Sequence, residues 1–164
     1  MQGSVYRLSL TGVDDDIAHP HVVVLTFSGN RDCIVIPAYS DGGFKIKEYV
    51  DACKQAGRPD EHIYVRLDNS KHIDFTSPFS AKVAIWCVAR FRRLSQKSVQ
   101  QGKRIGQMKP DGLLQIARCL LALAEKDTDE LSKSAIKSLR NLIKGLTQAS
   151  PAKTNDRDGS ETAS

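Results

Sequence analysis

The stretch Val83-Ala84-Ile85-Trp86-Cys87-Val88-Ala89, with its basic exit Arg90-Phe91-Arg92-Arg93-Leu94, a polar loop, and then Arg104-Ile105-Gly106-Gln107-Met108-Lys109-Pro110, divides the chain in two. Before it, apolar residues recur in short runs at strand spacing; after it they recur at helical spacing. That order predicts one α+β domain of short antiparallel strands, closed by a helix over residues 110–124. Charge separates at the same place. From Thr76 to Pro110 there is no Asp or Glu, while Lys82, Arg90, Arg92, Arg93, Lys97, Lys103, Arg104 and Lys109 all fall inside. A positive surface around the strand exit follows, as either a solvated face or a contact surface for an anionic polymer, and charge alone leans to the first.

Working outward towards the N-terminus, Val5-Tyr6-Arg7-Leu8-Ser9-Leu10 alternates as a half-buried strand does, and Thr11-Gly12 with Asp14-Asp15-Asp16 predicts an exposed loop. Consecutive carboxylates diverge and lack calcium-loop spacing, so that triplet is solvated. Val22-Val23-Val24-Leu25-Thr26-Phe27 and Cys33-Ile34-Val35-Ile36 flank Ser28-Gly29-Asn30 and predict a hairpin. Pro37 ends or edges its second strand, and residues 38–43 follow as a loop. Ile46, Tyr49, Val50 and Cys53 repeat at helical spacing before Gly57. Residues 63–67 and 72–75 then form a second hairpin about Asp68-Asn69-Ser70.

Towards the C-terminus, Pro110 suits a first helical turn, and Leu113, Leu114, Ile116, Ala117, Leu120, Leu121 and Leu123 imply a largely buried helix. Asp127, Asp129 and Glu130 open a further amphipathic helix over residues 127–147. Its stripe, Leu131 to Leu146, must pack on the domain, on a second copy in a homodimer, or on a partner. Residues 148–164 hold no apolar side chain larger than Ala and predict a disordered polar tail.

With 164 residues, 40% hydrophobic and 26% charged, the chain supports one core rather than two. The net charge of +5 is compatible with an anionic partner but does not demand one. Cys33, Cys53, Cys87 and Cys119 have no metal or redox spacing, and three lie in apolar segments, which predicts reduced, buried thiols and a cytoplasmic protein. His21, His62 and His72 lack metal-ligand spacing with them. No apolar run reaches membrane-spanning length, and the first residues lack the pattern of a signal peptide.

Four segments, in this order, resemble the MazF/PemK family of toxin endoribonucleases from bacterial toxin–antitoxin pairs. They are His19-Pro20-His21-Val22-Val23-Val24-Leu25; Ile34-Val35-Ile36-Pro37-Ala38-Tyr39-Ser40; the strand Val83 to Arg90; and Ile105-Gly106-Gln107-Met108-Lys109-Pro110-Asp111-Gly112-Leu113-Leu114. The resemblance covers residues 5–123 and implies an SH3-like barrel in residues 1–126. It also implies cytoplasmic cleavage of single-stranded RNA without cofactor or metal, neutralised by a cognate antitoxin. The nucleophile would be the neighbouring ribose 2′-OH, which needs a base, a cation for the pentavalent phosphate and an acid for the leaving oxygen.

On this resemblance Arg90 is the strand-end cation, Ser40 a phosphate contact and His19, before Pro20, an acid or base. Arg92, Arg93, Lys97, Lys103 and Arg104 would carry RNA binding. Each has a plainer role: Arg90 in a surface salt bridge, Ser40 in a turn, His19 on a loop. The chain also departs from the family. Cys87 and Val88 stand where an acidic residue and Gln are common, and an apolar setting would raise the Cys87 thiol pKa and keep it from acting as a nucleophile. The alternatives are a non-catalytic nucleic-acid-binding barrel and a protein-interaction module of the same fold.

Overall fold

The computed structural model describes residues 1–9, 18–40, 44–58, 62–77, 83–126 and 131–149. The acidic triplet 14–16, the loop 41–43, the expected helix start at 127–130 and residues 150–164 of the tail lie outside them. Among the described residues, eight strands and five helices follow in order: β1 Ser4–Leu8, β2 His19–Thr26, β3 Asp32–Ser40, α1 Phe44–Gln55, β4 Val65–Asp68, α2 Asn69–His72, β5 Ile73–Phe75, β6 Val83–Trp86, β7 Arg92–Ser95, α3 Gln96–Gln100, β8 Lys103–Met108, α4 Pro110–Lys126 and α5 Lys133–Ala149. A 3₁₀ turn, Val88–Arg90, joins β6 to β7.

The protein is a mixed α+β structure built on an antiparallel sheet in the order β4-β6-β3-β2-β1-β8-β5, with β7 also paired to β3. Its two edge strands, β4 and β5, are consecutive in the chain and joined by α2 alone. Laid flat, seven strands would hold those edges about 29 Å apart, whereas four helical residues span about 6 Å. The sheet must therefore curl into a half-barrel. Gly106 permits part of this closure: it pairs with both Val5 and Phe75, and a Cβ there would lie 2.8 Å from the Asp74 carbonyl oxygen.

Because strand side chains alternate, the curled sheet has two faces. The inner one carries Val5, Val22, Val24, Ile34, Ile36 and Trp86, and is filled by Leu113, Ile116 and Leu120 of α4. Leu131 and then Ala135 and Leu139 of α5 complete that core, so the amphipathic stripe packs on its own domain. The outer face holds a smaller cluster, Tyr6, Leu8, Val23, Cys33 and Val35, covered by Val99 of α3.

Several sequence expectations are corrected. Residues 63–67 and 72–75 are not a hairpin; β4 pairs with β6 and β5 with β8, each held by distant partners. The basic exit contains strand β7, and residues 103–108 form strand β8. The strand expected over residues 83–89 stops at Trp86. The last helix begins at Lys133, where the Ser132 hydroxyl oxygen accepts from the Ala135 N–H at 3.2 Å, and it continues through Gln148 and Ala149 of the expected tail. No helix among the described residues is long and apolar enough to cross a membrane.

Candidate functional site

Pro37 explains where the site forms. It lies inside β3, not at its end, and marks the point at which β3 changes partner: Asp32 to Val35 pair with β7, and Ala38 to Ser40 with β6. Proline has no N–H for the ladder, so the neighbouring strand need not stay in register there. Five residues, Cys87 to Phe91, stand opposite Ile36 and Pro37. The Cys87 N–H still donates to the Pro37 carbonyl at 2.9 Å, after which the surplus folds into the 3₁₀ turn, with the Arg90 N–H donating to the Cys87 carbonyl at 3.0 Å. The Ala89 N–H donates to the Ile63 carbonyl at 2.9 Å, which pins the turn to the body of the fold.

That turn delivers Arg90 to the outer face. Its Nη1 donates to the Tyr39 hydroxyl at 2.9 Å, and its guanidinium carbon lies 4.2 Å from the Tyr49 ring centroid and 5.4 Å from that of Tyr39. The imidazole of His19 lies against the far side of this group, its centroid 4.7 Å from that of Tyr39 with the planes tilted by 49°. Four planar side chains from β2, β3, α1 and the turn thus stand in succession. Among the described residues Arg90 has no carboxylate partner. Burial raises the Tyr49 phenol pKa, helped by the neighbouring Cys87 and a hydrogen bond with Cys53, so this ring serves as a neutral support.

His21 anchors the floor. Two residues on from His19 and on the same face, it is buried, and its Nδ1 hydrogen-bonds the His19 carbonyl at 2.8 Å. Burial lowers its pKa to about 4, against the pull of that hydrogen bond, with the charges of His19 and Arg92 adding to the drop. Neutral His21 therefore donates from Nδ1 and fixes the backbone that carries His19. The Cys87 thiol is pushed up to about 12, chiefly by burial, as its apolar setting predicts, and it cannot supply a thiolate at neutral pH. All four cysteines are buried and none is in a disulfide.

The structure brings Arg90 and His19 together through Tyr39. Ser40 is exposed at the end of β3 and, one residue after Tyr39, leaves the strand on the opposite face. Arg92, Lys97, Lys103 and Arg104 are exposed, and Arg104 donates to the Gln107 side chain at 3.0 Å. Arg93 turns away from the site: its Nε is 3.0 Å from Asp32 and its guanidinium covers the Phe27 ring at 5.2 Å. Sequence reading misses three residues. Treating Pro37 as a strand end puts Tyr39 in a loop, whereas continued alternation, Val35-Pro37-Tyr39, puts it on the outer face. Tyr49 counts in the sequence only as part of an apolar helix face. Arg7 lies directly opposite Lys103 across β1 and β8, a like-charge pair visible only once the register is known.

No protein-family model matches this chain, and neither does any curated protein. The likeness to the MazF/PemK toxins accordingly stands on the four sequence segments quoted above.

Proposed function

We propose that this protein is an SH3-like barrel of the MazF/PemK type that cleaves single-stranded RNA through the ribose 2′-OH, and that an antitoxin partner holds it in check. Arg90 carries this reading. A partly buried guanidinium with no carboxylate partner among the described residues, fixed by a tyrosine hydroxyl and a tyrosine ring, is an anion site waiting to be filled. Taking a charge out of water costs several kcal/mol unless an opposite charge compensates it. A phosphodiester supplies that charge and accepts hydrogen bonds from the guanidinium fork.

Beside this cation, His19 offers the one kind of side chain whose ordinary titration range brackets neutrality. It is assigned the base that takes the 2′-OH proton. Arg90 then stabilises the pentavalent phosphorane, where preorganised charge is worth most. Arg92, Lys97, Lys103 and Arg104 extend the cationic surface along which a strand of RNA would lie, and an acidic partner segment would compete for that surface.

End-labelled single-stranded RNA tests the reading directly. The expected products carry 2′,3′-cyclic phosphate and 5′-hydroxyl ends, a 2′-deoxy residue at the cut site blocks the reaction, and EDTA leaves the rate unchanged. Absence of cleavage by the purified protein on any RNA would overturn the catalytic part. One observation favours a second reading in that event: the protonated, buried Cys87 replaces the family's acidic residue, which suits a barrel that binds nucleic acid without cutting it.

A further inference from the structure

The reaction just assigned has a base and a cation but lacks a donor for the proton that the leaving 5′-oxygen must receive. We infer that Tyr39 is that general acid, delivering its phenolic proton to the 5′-oxygen while Arg90 holds the resulting phenolate. This inference rests on the nuclease reading above and deepens it.

The geometry singles out Tyr39. Its hydroxyl is 2.9 Å from Arg90 Nη1, and its ring lies against His19, so it is the described side chain in contact with both the cation and the base. A guanidinium can only donate, so the phenol oxygen is the acceptor in that contact and its own proton is directed elsewhere. When that proton leaves, the hydrogen bond from Arg90 becomes one between opposite charges, roughly twice as strong as its neutral counterpart. The same cation therefore serves the phosphorane and the departing proton's source. The other hydroxyls nearby fit worse. The Tyr49 phenol is turned into the protein, where burial and Cys53 keep it protonated, and Ser40 projects from the other face of β3.

The step balances. His19 takes the proton from the 2′-OH, the O2′–P bond forms, the P–O5′ bond breaks, and the Tyr39 proton passes to O5′. The products are a 2′,3′-cyclic phosphate, a 5′-alcohol, an imidazolium and a phenolate, and the proton returns from His19 to Tyr39 between the adjacent rings, by way of solvent, before the next turnover. No oxidant, reductant or co-reactant is consumed.

A leaving group that needs no proton separates this role from a structural one. The test compares a ribodinucleotide with a nucleoside 3′-(p-nitrophenyl phosphate), whose nitrophenolate departs unprotonated, using wild type, Tyr39→Phe and Arg90→Ala. Tyr39→Phe keeps the ring against His19 and Arg90, and a thermal melt checks that each variant folds. The expected result is a loss of about 10²- to 10⁴-fold in kcat on the dinucleotide and less than about 3-fold on the aryl ester for Tyr39→Phe. Arg90→Ala should slow both. Equal losses on the two substrates would make Tyr39 a positioning residue for Arg90 and overturn the inference, as would no loss on the dinucleotide. If wild type cleaves neither substrate, the nuclease reading itself fails and takes this assignment with it.

Discussion

The two faces of the β1–β2–β3 sheet are built to different standards. The inner face is covered by α4 and α5, helices of 17 residues each, and its side chains are almost wholly buried. The outer face receives the short helix α3, which buries Val99, and Tyr49 of α1 at the Arg90 cluster, while His19, Tyr39 and Arg92 on the same face stay within reach of solvent. Since stability scales with the apolar area removed from water, the inner face supplies most of it. The outer face can therefore carry uncompensated charge and half-exposed rings without threatening the fold. Stability and the proposed chemistry are separated by the thickness of one sheet.

Substitutions on either side should separate in the same way. Leu120→Ala empties a position of zero exposure between α4 and the sheet and should cost about 2–5 kcal/mol, read as a lower urea midpoint at constant slope. The cleavage rate per folded molecule should hold. Arg90→Ala should do the reverse, slowing cleavage by about two to three orders of magnitude while the melting temperature stays close to wild type. Cys87→Ala, beneath the same turn, should retain most activity because its thiol stays protonated. A melting point for Arg90→Ala as low as that of Leu120→Ala would show that the turn is structural and end the division between the faces.

How much of this was legible in the sequence follows the same line. The inner face was, because its elements announce themselves locally: valine and isoleucine runs about a Gly-Asn turn for β2 and β3, and Pro110 ahead of dense leucines for α4. What local pattern could not give were strands defined by their partners. Arg92-Arg93-Leu94-Ser95 has almost no apolar residue, and it is a strand because β3 offers it a free edge up to Val35. Val65–Asp68 and Ile73–Phe75 look like a hairpin because a short turn separates them; closure of the curled sheet sends them to opposite ends. At the site, Arg90 and His19 were named from sequence. Tyr39 was hidden by a general rule about proline, whose missing N–H interrupts only the edge that faces the β6-to-β7 bulge and leaves the pairing of Pro37 with His21 intact.

Acid should find the outer face first. His21 is held neutral when folded, with a pKa of about 4 against 6.5 for the ordinary side chain. Between those values the unfolded chain binds the proton and the folded one does not. Stability therefore falls as pH drops from 6.5 towards 4 and is fully present above that window. The loss from this one group between pH 7 and pH 4 is about 3 kcal/mol. His21→Gln, which keeps a donor near the His19 carbonyl but cannot titrate, should show a flatter dependence by that amount in urea titrations at the two pH values. Parallel curves would mean that His21 opens to water well before the fold is lost.

The smallest effect has the most unusual sign. Arg7 and Lys103 face each other across β1 and β8, both exposed and neither with an ion-pair partner among the described residues. Like charges in directly opposed strand positions cost roughly 0.2–1 kcal/mol, so a chain selected for stability alone has no reason to keep them. Pro20 continues the same row on β2, and by strand alternation the row leaves the sheet on the face opposite His19 and Tyr39, one residue along from the proposed site. An RNA phosphate reaching round the strand ends onto this row would relieve the repulsion. Replacing either cation with Gln should therefore raise the melting temperature by one to a few degrees, in proportion to a few tenths of a kcal/mol, and weaken binding of single-stranded RNA. The slope of log affinity against log salt should shrink by about 0.7 for each phosphate that the variant no longer neutralises. Measuring both quantities on the same variants is decisive, because the two readings part here: if stability rises but RNA affinity and its salt slope do not move, the row is an unrelieved repulsion outside the RNA path, and the cationic surface ends at β7 and α3.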